Sequence, residues 1–575
     1  MSDSVTLVIL SDDWEATSSD EHGELLVASV VNGELVVSGV SHDIPDRRFR
    51  LPAEPYRISS TADGDDWRAV VKWLSVVVGD DAVVVVDYHH PIRDLILYAS
   101  AALGMRYALR FTAAPERSGA PIFYAVISNA DAMVFESEAV ADEFHRQYLA
   151  PYVSVRSLVE LRDLVSVRPR SSPEIDPRSS AHSNSLPSIR VLIVAYFSGP
   201  CRTVGVQRPN YWFEELAGLT DGLIEPHIAS TTDWGGSVAN VHVVPDYNVA
   251  TLAGPEGTYP AWAADLVASE RRDANVFNTL SYYWRYGLEK YFDELDDRFD
   301  VVIVSGNPFS CFDFAAYAKR RWHARVILDY RDPFGNNPRF NYTDEARDHA
   351  RYVEQGFNFQ ADVISVVNEY CIDLVEGALD ADIINIPNGF DERVLDSVRR
   401  VDLPSDKVNI VHAESFTRDR SPEHILAALD PERHAFHHVG NTSGVKSRLL
   451  DNQAVVQHGR LPYVEVLGVV GGADIGIVFL SEQNFETTTK LFDYLAMGID
   501  VLLCTNGAIG SGAVAGVLEG QEGVFWCRNN AQDAARFIAE YKPAHRLEGG
   551  TSGELFTRRH GTRLLAARII DLVGR

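Results

Sequence analysis

The chain has 575 residues, 46% hydrophobic and 23% charged, and a net charge of −29. That length exceeds what a single core supports and predicts about three or four domains. So acidic a balance excludes phosphate-backbone binding as a general role, because nucleic-acid affinity needs clustered Lys and Arg; it also disfavours a strong anchor on an anionic membrane.

The start, MSDSVTLVILSDDWE, lacks the basic segment and small-residue cleavage site of a signal peptide. No apolar run reaches the roughly 18 residues of a spanning helix. Cys201, Cys311, Cys371, Cys504 and Cys527 stand far apart in sequence with no C-x-x-C pair. Their spacing argues against zinc and a disulfide framework and fits a reducing cytosol. A cytoplasmic protein is expected, with at most peripheral contact at the inner face of a membrane.

Residues 1–165 read as an accessory domain. Asp81–Phe111 has a buried strand, a polar loop with a Pro, a helix, a spacer and a second strand, and Phe299–Tyr330 has the same series. Ile127–Phe144 then parallels Phe357–Leu374. Any two βαβ units share such features, but the order and spacing hold over three elements, which favours a duplicated, degenerate Rossmann-like domain. Acceptor positioning or homo-oligomer formation is its expected role. His89 and His90 occupy its equivalent of an active-site loop, where two surface histidines are more commonly structural.

Residues 166–188 form a linker: Val167–Pro187 is rich in Ser, Pro and Arg and has no apolar periodicity. Beyond it, short apolar runs alternate with amphipathic stretches, the pattern of βαβ units and parallel sheets. The expected strands are Ile189–Ala195, Val301–Ser305, Ala324–Leu328, Val363–Val367, Asn409–His412, Ile475–Phe479 and Val501–Cys504. Helices are expected over Phe312–Arg321 and Thr489–Met497. Parallel sheets take their ligands at the carboxyl ends of their strands.

The first strand runs into a loop with Ser198, Gly199 and Gly205, and Arg208 opens the next helix. Glycines and a cation at a helix N-terminus attract anions or sugar hydroxyls, though a plain βα turn has the same look. Asn307 lies in the loop after Val301–Ser305. After the strand Ala324–Leu328 comes DYRDPFGNNP, where Asp332 can orient a hydroxyl or stabilise positive charge on a sugar. Arg331 can bind a phosphate or pair locally with its acidic neighbours.

Ile384–Glu392, INIPNGFDE, carries the turn signal Asn388-Gly389 between the two halves. Arg418 and Arg420 follow the strand ending at His412 and precede the helix start Ser421-Pro422-Glu423. They are candidates to bind a diphosphate, or are solvated loop residues. Thr487, Thr488 and Thr489 can cap the helix that begins near Lys490 and offer hydroxyl and N–H groups to phosphate. Asp493, one turn on, can accept from a ribose diol. An ordinary capped core helix is the alternative.

Taken in order, Gly205–Pro209 (GVQRP), Asp329–Phe334 (DYRDPF), Ile386–Asp391 (IPNGFD) and Thr489–Gly498 (TKLFDYLAMG) resemble a subgroup of family 4 glycosyltransferases that build bacterial and archaeal surface glycans. The resemblance implies an α/β GT-B fold: two Rossmann-like domains with parallel sheets, here preceded by the extra N-terminal Rossmann-like domain. It divides the chain into an acceptor domain (189–390), a donor domain (391–556) and a final helix (557–575) crossing back. It implies sugar transfer from a nucleoside diphosphate sugar, with retention, to a glycan or lipid-linked acceptor, with no metal and no cofactor beyond the co-substrate.

By position, Arg420 is the diphosphate cation, with Lys490 beside it, the Thr487–Thr489 amides complete the phosphate site, and Asp493 is the ribose ligand. Arg460 and Leu461, in the loop 459–462, flank the base. The family's first acid falls at Phe485, with Glu486 next to it, and its first phosphate arginine falls at Ser415. Arg331 or Asp332 stands where many relatives have a histidine. Two other readings share these residues: a nucleotide-sugar epimerase of the same fold, and a non-catalytic sugar-binding scaffold.

Overall fold

The structure is a computed structural model. It describes residues 188–199, 204–232, 238–244, 284–339, 360–375, 381–416, 420–442, 445–543 and 553–574 almost in full, with shorter stretches before residue 156 and isolated positions such as Trp234 and Glu354. The linker up to residue 187, Cys201, Arg418, His89 and His90 lie outside the described residues.

Among the described residues, eight strands precede the linker: β1 (Leu7–Leu10), β2 (Leu26–Val31), β3 (Glu34–Gly39), β4 (Arg47–Arg50), β5 (Val83–Asp87), β6 (Arg106–Phe111), β7 (Ala132–Phe135) and β8 (Ser154–Val155). β2, β3 and β4 make an antiparallel sheet. The others make a five-stranded sheet in the order β1-β5-β6-β7-β8, parallel throughout. Val83–Val86 are fully buried, as expected of β-branched residues in a parallel strand covered on both faces.

Next come β9 (Ile189–Ala195), β10 (Ile224–Ser230), β11 (Val241–Val243), β12 (Val301–Ser305), β13 (Arg325–Tyr330), β14 (Val363–Val366) and β15 (Asp382–Asn385). Their sheet has the order β11-β10-β9-β12-β13-β14-β15, and the ladders from β11 to β13 are parallel. The run β9-β12-β13-β14-β15 repeats the strand order of the N-terminal sheet. Asp87 faces Arg110 across β5 and β6 as Ser305 faces Asp329 across β12 and β13.

The last sheet holds β16 (Val408–His412), β17 (His434–Val439), β18 (Val455–Gly459), β19 (Ile475–Leu480), β20 (Asp500–Thr505) and β21 (Val524–Arg528). Its order is β18-β17-β16-β19-β20-β21, all parallel. Both later sheets step outward from one strand and then return to its other side, the doubly wound Rossmann plan. Two such domains in tandem, after a third parallel α/β domain, give the chain its GT-B fold.

The chain separates into two compact units. One holds Met1–Ser365, Leu374–Ile384 and Ile569–Arg575; the other holds Val366–Asp373 and Asn385–Arg568. The core of the second unit has two faces. Val411, Val470, Leu491, Tyr494 and Leu503 pack on one side of its sheet, and Ile410, Phe436, Ile475, Leu502 and Ile538 on the other.

Candidate functional site

In the first unit the winding reverses between β9 and β12, so the loops after these strands border the crevice where doubly wound sheets take ligands. Gly199 sits at φ +68°, a conformation that glycine adopts without cost. Its N–H donates to Asn210 Oδ1 at 2.9 Å, and Asn210 Nδ2 donates back to its carbonyl at 3.0 Å. A Cβ on Gly199 would meet the Trp234 ring at 2.8 Å, and Trp234 Nε1 donates to Ser198 Oγ at 3.1 Å.

Arg331, expected beside the chemistry, is turned inward. Nε donates to the Gly306 carbonyl, Nη1 to that of Gly205, and Nη2 to that of Asn307 at 2.7 Å. Its fork therefore fastens the loop after β12 to the turn before Arg208, and a Cβ on Gly205 would overlap Nη1. Of the two roles open to Arg331, phosphate binding or local pairing with its acidic neighbours, its hydrogen bonds here go to neither but to three loop carbonyls. Asn307 contributes its carbonyl to the same fastening.

Arg208 and Asp329 also differ from expectation. β13 runs on to Tyr330, so Asp329 lies inside the strand and not in the loop, and it is fully buried. Its carboxylate accepts from Arg208 Nη2 at 2.9 Å, Ser305 Oγ at 3.0 Å and Ser365 Oγ at 2.8 Å. Arg208 is buried with its guanidinium 4.6 Å from the Trp212 ring centre, and its charge is paired with Asp329. Asp332, just beyond the strand, is exposed.

The DPFG turn has supports that no sequence signal marked. Gly335 N–H donates to buried Glu354 Oε2 at 2.8 Å, and Tyr330 Oη donates to Asn358 Oδ1 at 2.7 Å. Burial, and then Glu354, push the Tyr330 phenol well above its usual range.

In the second unit the reversal falls between β16 and β19, and the loops after them carry the donor-site candidates. The helix Thr489–Met497 starts as the sequence predicts: Thr488 is its N-cap, with Oγ1 accepting from Lys490 N at 3.2 Å. Thr488 Oγ1 also donates to Glu414 Oε2 at 3.4 Å, and Arg420 Nη1 lies 3.5 Å from Glu414 Oε1. Glu414 thus joins the cation of one loop to the helix N-terminus that follows the other. Thr487 and Thr489 are half-buried beside the cap.

One turn into the helix, Asp493 is buried. Tyr463 Oη donates to its Oδ1 at 2.6 Å, and Lys490 Nζ donates to its Oδ2 at 3.0 Å. Lys490 also lies 5.5 Å from the Tyr463 ring centre. A carboxylate has about four lone-pair sites, so Asp493 can accept further hydrogen bonds. Burial, and then Asp493, raise the Tyr463 phenol; sequence reasoning missed this tyrosine, since nothing links it in spacing to a residue 30 positions on.

Glu486 is buried and Oε2 accepts from Ser481 N at 2.8 Å, folding the loop 481–488 upon itself. Arg460 is exposed on the loop after β18, and Leu461 packs against the apolar core. At the end of β16, His412 and His438 approach Nδ1 to Nδ1 at 3.3 Å, with Phe416 stacked on both rings. Burial drives His412 well below the usual imidazole range, and takes His437 and His438 to about 4.

No family model and no curated protein matches the sequence. Among solved structures, the chain is similar to a sucrose-phosphate synthase from Thermosynechococcus elongatus, at 14% identity and TM-score 0.45, over 67% of this chain and 97% of that one. It is similar to a trehalose-6-phosphate protein from E. coli bound with UDP-2-fluoro glucose, at 11% identity and TM-score 0.41, over 66% and 96%. It is also similar to a UDP-N-acetylglucosamine 2-epimerase described from Listeria monocytogenes, at 11% identity and TM-score 0.41, over 67% and 97%. Among the described residues no helix is long and apolar enough to cross a membrane.

Proposed function

We propose that residues 189–575 act as a glycosyltransferase that moves a sugar from a nucleoside diphosphate sugar to a hydroxyl of a saccharide or lipid-linked acceptor, with retention and without a metal. The observation that carries this reading is the Arg420–Glu414–Thr488 chain at the switch point of the six-stranded sheet. It puts a cation and a capped helix N-terminus where doubly wound sheets take phosphates. Asp493, held by Tyr463 and Lys490 one turn further in, supplies the acceptor for a ribose diol.

In this reading, the bond between the anomeric carbon and the diphosphate oxygen breaks, and the charge gathering on that oxygen is met by Arg420, Lys490 and the N–H groups near Thr487–Thr489. The acceptor oxygen bonds to the anomeric carbon from the same face, and its proton passes to a diphosphate oxygen. Asp332, exposed after β13, is the first unit's own candidate to bind a hydroxyl. Residues 1–165 serve acceptor positioning or self-association.

Thermal unfolding of the full chain with UDP-, GDP- and dTDP-sugars tests the reading. A ligand at 100 times its dissociation constant adds about 2.7 kcal/mol of stability, so one base is expected to raise the unfolding temperature clearly above the others. No shift with any nucleotide or nucleotide sugar would overturn the assignment. Conversion of donor alone into an epimerised sugar would move the protein to the epimerase class.

A further inference from the structure

β14 ends at Val366, and the turn after it, Val366–Asp373, groups with the second unit. Asn368 in that turn is 7% exposed. Its Nδ2 donates to the Phe485 carbonyl at 2.9 Å and to Thr487 Oγ1 at 3.4 Å. A carbonyl only accepts, so the contact with Phe485 fixes which way the amide points. Asn368 thus grips, from more than a hundred residues away in sequence, the segment that leads into the Thr488 cap.

That segment has three different holds. Glu486 folds it on itself through Ser481 N, Glu414 takes the Thr488 hydroxyl, and Asn368 fixes the stretch between them. A loop fixed before binding spares the ligand the entropy of ordering it. Without the amide, the Phe485 carbonyl loses its donor, and the loop must shift to find water or another partner.

We propose that Asn368 is a positioning residue for the diphosphate site: it sets where Thr487 and the first N–H groups of the helix Thr489–Met497 stand, without itself touching the donor. This rests on the glycosyltransferase reading above. It assigns to Asn368 a role that requires hydrogen-bond donors, not size or shape.

Asn368→Asp tests that requirement, because it keeps the shape and, when ionised, offers only acceptors to Phe485 O and Thr487 Oγ1. Binding of inorganic pyrophosphate, UDP, GDP and dTDP to the full chain is measured by calorimetry from pH 5 to pH 8, with the unfolding temperature recorded in parallel. At pH 8 the variant should bind the preferred nucleotide about tenfold more weakly than wild type, the equivalent of one lost hydrogen bond. The deficit should shrink towards pH 5, where a protonated carboxyl can donate to Phe485 O again. Asn368→Ser, which keeps a donor, should stay within about threefold of wild type and serves if the aspartate variant does not fold.

Equal binding by wild type and the aspartate variant at pH 8 overturns the proposal. So does a deficit in either variant that ignores pH and donor chemistry and follows the unfolding temperature alone. If wild-type protein binds neither pyrophosphate nor any nucleotide, the glycosyltransferase reading falls, and the proposal with it.

Discussion

The guanidinium of Arg208 lies 2.9 Å from the carboxylate of Asp329, and both side chains are sealed from solvent. This ion pair fixes the start of the helix Gln207–Leu219 to the carboxyl end of β13, the edge at which the first unit would meet a ligand. A buried pair is costly to break, since the surviving charge has no water to turn to. Asp329→Ala should cost about 3–5 kcal/mol, more than Ser305→Ala or Ser365→Ala, each of which removes one hydrogen bond worth about 1 kcal/mol. Denaturant unfolding of the three variants checks the ranking.

Gly205 and Arg331 should behave as a coupled pair. A methyl group at Gly205 overlaps Arg331 Nη1, and the guanidinium cannot withdraw without releasing the carbonyls of Gly306 and Asn307. Gly205→Ala should therefore cost about 1–3 kcal/mol in wild type and much less in an Arg331→Ala background. A double-mutant cycle measures the coupling; additive losses would show that the overlap is relieved elsewhere.

Acid should destabilise the second unit through its buried histidines. His437 and His438 protonate only near pH 4 in the folded chain but at the ordinary imidazole value when unfolded. Between these values the unfolded state binds more protons, so stability rises with pH through the window from about 4 to about 6.5 and levels off above it. The unfolding temperature should fall steadily from pH 7 to pH 5, and His437→Asn should flatten that slope. A slope unchanged in the variant would exclude His437 as a contributor.

How much of this was legible in the sequence depends on which side chains the fold neutralises. β9 and β12 have the predicted limits, because unbroken Val, Ile and Leu runs fit a strand buried on both faces. The helix Thr489–Met497 likewise matches, with Thr at its cap. β17, HAFHHV, escaped notice: three histidines break the apolar pattern, yet the whole strand is buried, with His437 bonded to Asn409 and His458 and His438 to His412.

β10 was hidden by Pro226, which argues against a central strand. The ladder to β11 begins only at Ile228, so the proline sits where β10 is still an edge. The same logic governs the site. Caps and glycines show locally, whereas Asn368, Glu354 and Tyr463 act on partners far along the chain and leave no spacing to read.

The most direct measurement of the central claim is the effect of Arg420→Ala on kcat/KM for turnover of the nucleotide sugar that most stabilises the protein. If Arg420 meets the departing diphosphate, the variant should lose about 2–4 kcal/mol of transition-state stabilisation, roughly 30- to 1000-fold in rate, while remaining folded. A kcat/KM close to that of wild type would contradict the assignment of the β16–β19 switch point as the donor site.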